Sequence, residues 1–98
     1  MIKDGLNISS IEDVIMDLFH VDRDGFYTRQ GVKQVYTARH FLWLILHDDM
    51  GMSHKEIAVH YDRSRRMVAK FVSKMRFRVN NQRQDKAIYE ELKKLLCI

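Results

Sequence analysis

The stretch SHKEIAVHYDRSRRMVAKFVSKM, residues 53–75, contains two helix beginnings separated by a few residues. Ser53 followed by Glu56 has the capping-box form, in which the serine hydroxyl accepts from the Glu56 amide and the carboxylate reaches back to the Ser53 amide. A short helix carrying Ile57, Ala58 and Tyr61 should follow. Asp62 and Arg63 interrupt it, and Ser64 can cap a second helix. In that helix Val68, Phe71, Val72, Met75 and Val79 recur at i, i+3, i+4, i+7 and i+11, so one face belongs to a core. The opposite face presents Arg66, Ala69, Lys70, Ser73 and Phe77, with Arg65, Lys74 and Arg76 on its flanks. Two helices joined by so brief a turn form a helix-turn-helix. Its second helix can enter a major groove, where residues near the helix start reach base edges first and arginine fits guanine bidentately. Ser64, Arg65, Arg66 and Lys70 are the candidate groove contacts.

Working outward, proline is absent, glycine occurs only four times, and no segment sustains an alternation of period two. The expected fold class is therefore all-α, a small multi-helix domain built around this helix-turn-helix. Ser9 with Glu12 suggests the start of a first helix with Ile11, Val14, Ile15, Leu18 and Phe19 on one side. Residues 20–34 read as a polar connection with Gly25 and Gly31, holding at most one helical turn. A second helix should begin near Val35 or Thr37 and run through Ala38, Phe41, Leu42, Ile45 and Leu46, apolar on most sides and so deeply buried. Asp48, Asp49 and Gly51 should end it. A last helix, from about Lys86 to Leu96, carries Ile88, Leu92, Leu95 and Leu96 on one side. No repeat or linker divides the chain into further domains.

The 98 residues carry 17 Lys and Arg against 13 Asp and Glu, a net charge of +4. That total hides a partition. Residues 1–28 sum to −4, residues 29–83 to +8, and the last fifteen balance. A basic middle suits a phosphate-bearing partner, because each neutralised phosphate releases condensed counterions. No apolar run approaches the roughly 18 residues of a transmembrane helix, and the N-terminus lacks a signal-peptide layout, so no membrane association and a cytoplasmic, nucleoid-associated location are expected. The single Cys97 excludes an internal disulfide. Asp22 and Asp24 in a DRDG segment resemble part of a calcium loop, but His20 and Gly31 stand where its first and twelfth ligands belong, and a polar turn is the better reading. The five histidines show no metal-binding spacing. No metal, cofactor or small-molecule substrate is expected, and no nucleophile or nucleotide-loop motif suggests an enzyme.

The order of these segments resembles a known family. A first helix ending Leu18-Phe19-His20-Val21, a basic loop, Ala38-Arg39-His40 opening the central helix, an Ile57-Ala58 helix after a capping box, and then DRSRRMV are similar to the C-terminal DNA-binding domain of the bacterial replication initiator DnaA. That domain is related to the Trp repressor, and the likeness spans roughly residues 14–94. In the family the last motif reads Gly-Arg-Asp-His-Thr/Ser-Thr-Val; Arg63 and Val68 keep their places here, while Ser64, Arg65, Arg66 and Met67 stand at the base-reading positions. The resemblance implies a partner, double-stranded DNA, and a role in replication initiation or its regulation. It also implies phosphate contacts from Lys33, Arg39 and Arg63; His54 and Lys55, at the head of the first helix of the pair, are further candidate phosphate contacts on their own chemistry. The initiator's nucleotide-hydrolysing module has no counterpart, so the chain looks like that domain standing alone. Alternatives are a dimeric transcriptional repressor of a phage or mobile element, and a protein-interaction module, for instance one contacting a replication protein. The last helix could also line a homodimer seam.

Overall fold

The computed structural model describes residues 7–29 and 31–98. These form helices α1 (Ile8–Phe19), α2 (Asp24–Tyr27), α3 (Lys33–Leu44), α4 (His54–Tyr61), α5 (Arg65–Asn81) and α6 (Arg83–Leu96), with a π-helical turn, Ile45–Asp49, continuing α3. The domain is all-α, as expected, and among the described residues there is no strand.

Local chemistry explains most of the helix ends, although some differ from the sequence expectation. Asn7, rather than Ser9, caps α1: its Oδ1 accepts from the Ser10 amide at 2.8 Å. Ser9 is thereby drawn into the first turn, and its hydroxyl accepts from Arg23 at 3.1 Å. In the connection after α1 a single short helix forms, and it places Phe26 in the core. Gly25 permits this, since a Cβ there would lie 3.0 Å from Val35 Cγ1. α3 starts at Lys33, earlier than expected, from an extended Val32 without a side-chain cap. Thr37 is then inside the helix, donating to the Lys33 carbonyl at 2.9 Å. α6 likewise begins three residues before Lys86, with Gln82 alone separating it from α5.

α3 is the central element, packed by α1, α2 and α5, while α5 also meets α4 and α6. Phe41, Leu42, Trp43, Leu44, Ile45 and Leu46 are consecutive and all buried, which requires neighbours on every side of the helix. Full burial of one such aliphatic or aromatic side chain contributes about 1.5–3 kcal/mol. The predicted inner face of α5 is realised by Val68, Val72, Met75 and Val79.

At the end of α3 the ladder widens: the Met50 amide donates to Ile45 at 3.0 Å and the Met52 amide to Leu46 at 2.9 Å. Gly51, at φ 81°, closes the turn in the left-handed region that favours glycine. The wider turn presents two adjacent carboxylates to two different helices. Asp48 accepts two bonds from Arg76 on α5, at 2.6 and 2.8 Å, and Asp49 accepts from Tyr89 on α6 at 2.5 Å. The aspartates expected only to end a helix therefore fix α5 and α6 to it. Burial, then the bond to Asp49, pushes the Tyr89 phenol above its ordinary range.

Candidate nucleic-acid interface

The two helix beginnings in residues 53–75 have the expected chemistry. The Glu56 amide donates to Ser53 Oγ at 3.0 Å, and the Ser53 amide donates to Glu56 Oε1 at 2.8 Å, completing the capping box of α4. The backbone bond from Ser53 holds the Glu56 carboxyl below the usual carboxylate range. Asp62 ends α4 in the left-handed region, φ 55° and ψ 55°, and the Arg63 amide donates to Ala58 O at 2.9 Å. Ser64 then caps α5 by accepting from the Met67 amide at 3.0 Å. The oxygen of this expected base-reading residue is thus engaged by its own helix, though its side of the helix stays exposed.

α4 is held from below by a buried carboxylate that the sequence presented only as part of a cap. Glu12 on α1 is 1% exposed. It accepts from Tyr61 on α4 at 2.8 Å, from Tyr27 on α2 at 2.8 Å and from Arg23 at 2.7 Å. Burial, followed by these bonds, pushes the Tyr27 phenol up to about 12 and the Tyr61 phenol further. Both phenols stay protonated as donors, so the helix-turn-helix is anchored to α1 and α2 through one satisfied polar centre.

Around that frame the arginines divide into two groups. Arg76 and Arg78 on the later turns of α5 are paired with Asp48 and Asp85. Arg65, Arg66 and Lys70 on its first turns are exposed, and among the described residues none has an ion-pair partner. No acidic residue lies in the first turn of α5. Arg65 and Arg66 line a groove of about 470 Å3 together with Ser53, His54 and Lys55, and His47 from the π-helical turn also reaches it. Candidates from both helices are brought together there, and Lys70 lies one turn further along α5.

Three of the expected phosphate contacts are placed differently. Arg39 is 4% exposed and turns inward, donating through Nε and Nη2 to the Gly25 carbonyl at 3.1 and 2.6 Å. It is a core tie between α3 and α2. Arg63 is half-buried and donates to the carbonyls of Tyr61, Asp62 and Thr28, clamping the loop after α2 onto the turn. The imidazole of His54 is stacked on that of His47, with centroids 4.1 Å apart, and its Nε2 is buried without a hydrogen-bond partner among the described residues. Burial lowers its affinity for a proton, and the neighbouring His47 and Arg76 act in the same direction. Packing, rather than an offered donor, is its role in this conformation. Lys55 and Lys33 are exposed as expected, but Lys33 does not line the groove.

Sequence reasoning missed His47 and Arg29. Arg29 lies within the basic segment and is 3.7 Å from the exposed Asp62 carboxylate; its charge was legible, its place beside the turn was not. Among the described residues no three His, Cys, Asp or Glu side chains gather as a metal site would need. No described helix is long and apolar enough to cross a membrane. No protein-family model matches the chain, and no curated protein matches it in sequence.

Proposed function

We propose that the chain binds duplex DNA sequence-specifically, with α5 in the major groove, and serves replication initiation or its regulation. The observation that carries the DNA reading is the exposed trio Arg65, Arg66 and Lys70 at the start of α5, none with an ion-pair partner among the described residues, on a helix whose other arginines are paired. Exposed arginines at a helix start lie where base edges are read. The partial positive charge of the first turn, which no acidic side chain of that turn offsets, also favours phosphate. Lys55 at the head of α4 supplies a backbone contact. The replication role rests on the resemblance to the initiator's DNA-binding domain alone.

Titrations on a selected duplex and on a scrambled one test this. Arg66→Ala is expected to cost about 1–3 kcal/mol on the selected site and to narrow the gap between the two duplexes. Lys55→Ala is expected to weaken both alike and to reduce the salt slope by about one. Equal losses on both duplexes for Arg66→Ala would remove α5 from base reading, and the absence of salt-dependent binding would remove DNA as the partner.

A further inference from the structure

A second concavity, of about 350 Å3, opens between the loop carrying Arg29, helix α3 and the early turns of α5. Its volume lies in the range of small-ligand pockets. Three flat rings are contiguous in its wall. His40 and Phe71 stack with centroids 4.1 Å apart and planes 12° from parallel, and Trp43 lies 5.6 Å from His40 and 6.5 Å from Phe71. Tyr36, 39% exposed, stands at the mouth on α3, and Met67 faces it from α5. The Trp43 indole Nε1 is buried with no acceptor among the described residues.

Two cations stand at its edge: Arg29 is exposed and Arg63 half-buried, while Arg39, 4% exposed, lines it from within the core. After burial, Arg63 is the next influence making Arg39 harder to protonate, and Arg29 plays that part for Arg63. The carbonyls that hold Arg63 fix its guanidinium plane at the edge of the pocket. Arg29 and Arg63, with a single carboxylate, Asp62, 3.7 Å from Arg29, lie beside this aromatic wall and suit a ligand that is flat at one end and anionic at the other. Stacking on aromatic side chains with arginines on the phosphate is how single nucleotides are held outside a duplex.

We propose that this pocket binds one unpaired nucleotide, its base against His40 and Phe71 with Tyr36 at the mouth and the buried Trp43 behind His40, and its phosphate on Arg29 and Arg63. The source is either a free nucleotide or a nucleotide of a single strand. The site is separate from the groove-reading face at Arg65 and Arg66 and does not depend on the duplex-binding reading.

Trp43 is the sole tryptophan, so its emission reports the pocket directly. Titrating the full chain with deoxyadenosine monophosphate is expected to quench that emission saturably. Deoxyadenosine, lacking the phosphate, should bind roughly tenfold or more weakly. Arg29→Ala and Tyr36→Ala alter exposed residues and should each weaken the monophosphate by roughly tenfold. Arg66→Ala should leave this titration unchanged even where it removes duplex preference, which keeps the two readings separable. A short oligodeoxyadenylate that quenches at lower nucleotide concentration than the monophosphate identifies a strand as the source; equal potency per nucleotide identifies the free nucleotide. No saturable quenching by either, equal potency of nucleoside and monophosphate, or indifference to Arg29→Ala overturns the proposal.

Discussion

Arg65 and Arg66 occupy the first two positions of α5, where the aligned peptide dipoles already leave a partial positive charge. Cations there oppose folding, and no acidic side chain of the first turn offsets them. The same helix pairs Arg76 and Arg78 with carboxylates, so the unfavourable placement is confined to its exposed beginning. Such local conflict is expected where a residue serves a partner rather than the fold. Arg66→Glu is therefore predicted to raise stability by about 0.3–1 kcal/mol in urea unfolding while lowering duplex affinity. A variant that loses stability together with binding would mean that Arg66 supports the helix instead. At the same scale, Arg39 and Arg63 show what a sequence pattern does not disclose. Their acceptors include main-chain carbonyls of Gly25 and Thr28, separated from them by 14 and 35 residues. Charge and position in the chain are the same for an arginine that faces solvent and one that ties a loop.

Among the elements, those determined by neighbours in sequence were the legible ones. The caps at Ser53 and Ser64 and the inner face Val68, Val72, Met75 and Val79 depend on spacings of three and four residues, which any helix imposes. The outward position of Arg65, Arg66 and Lys70 follows from the same geometry, so the core of the candidate interface was readable. Ser64→Ala should cost about 1 kcal/mol, seen as a lower urea midpoint with an unchanged slope. A loss of a few tenths or less would show that the Met67 amide finds another acceptor. The π-helical turn had no such signature. Its extra residue is stabilised by what it delivers, the bonds that Asp48 accepts from Arg76 and Asp49 accepts from Tyr89, and these partners lie tens of residues away. Asp48 and Asp49 look like ordinary helix stops until α5 and α6 are in place.

For the whole molecule, acid should be more damaging than the net charge suggests. His40 is stacked on Phe71 beneath Arg39, Lys74 and Arg78. Burial first, and then these cations, lower its pKa from the ordinary 6.5 to about 4. The folded state thus favours the neutral ring. Its contribution is complete above the unfolded value near 6.5 and is lost as pH falls toward 4, because the unfolded chain binds the proton first. The melting temperature should drop between pH 7 and pH 5, and His40→Phe should show a smaller drop; identical pH profiles for the two proteins would exclude His40 as the cause. Glu12 has a different consequence, one of folding order. Its bond to Tyr61 closes a span of 49 residues, and α4, only eight residues long, is too short to persist as an isolated helix. The pair of helices should consequently consolidate only after α1 has docked, so residues 53–81 cut out as a peptide would keep the sequence of the interface without its shape.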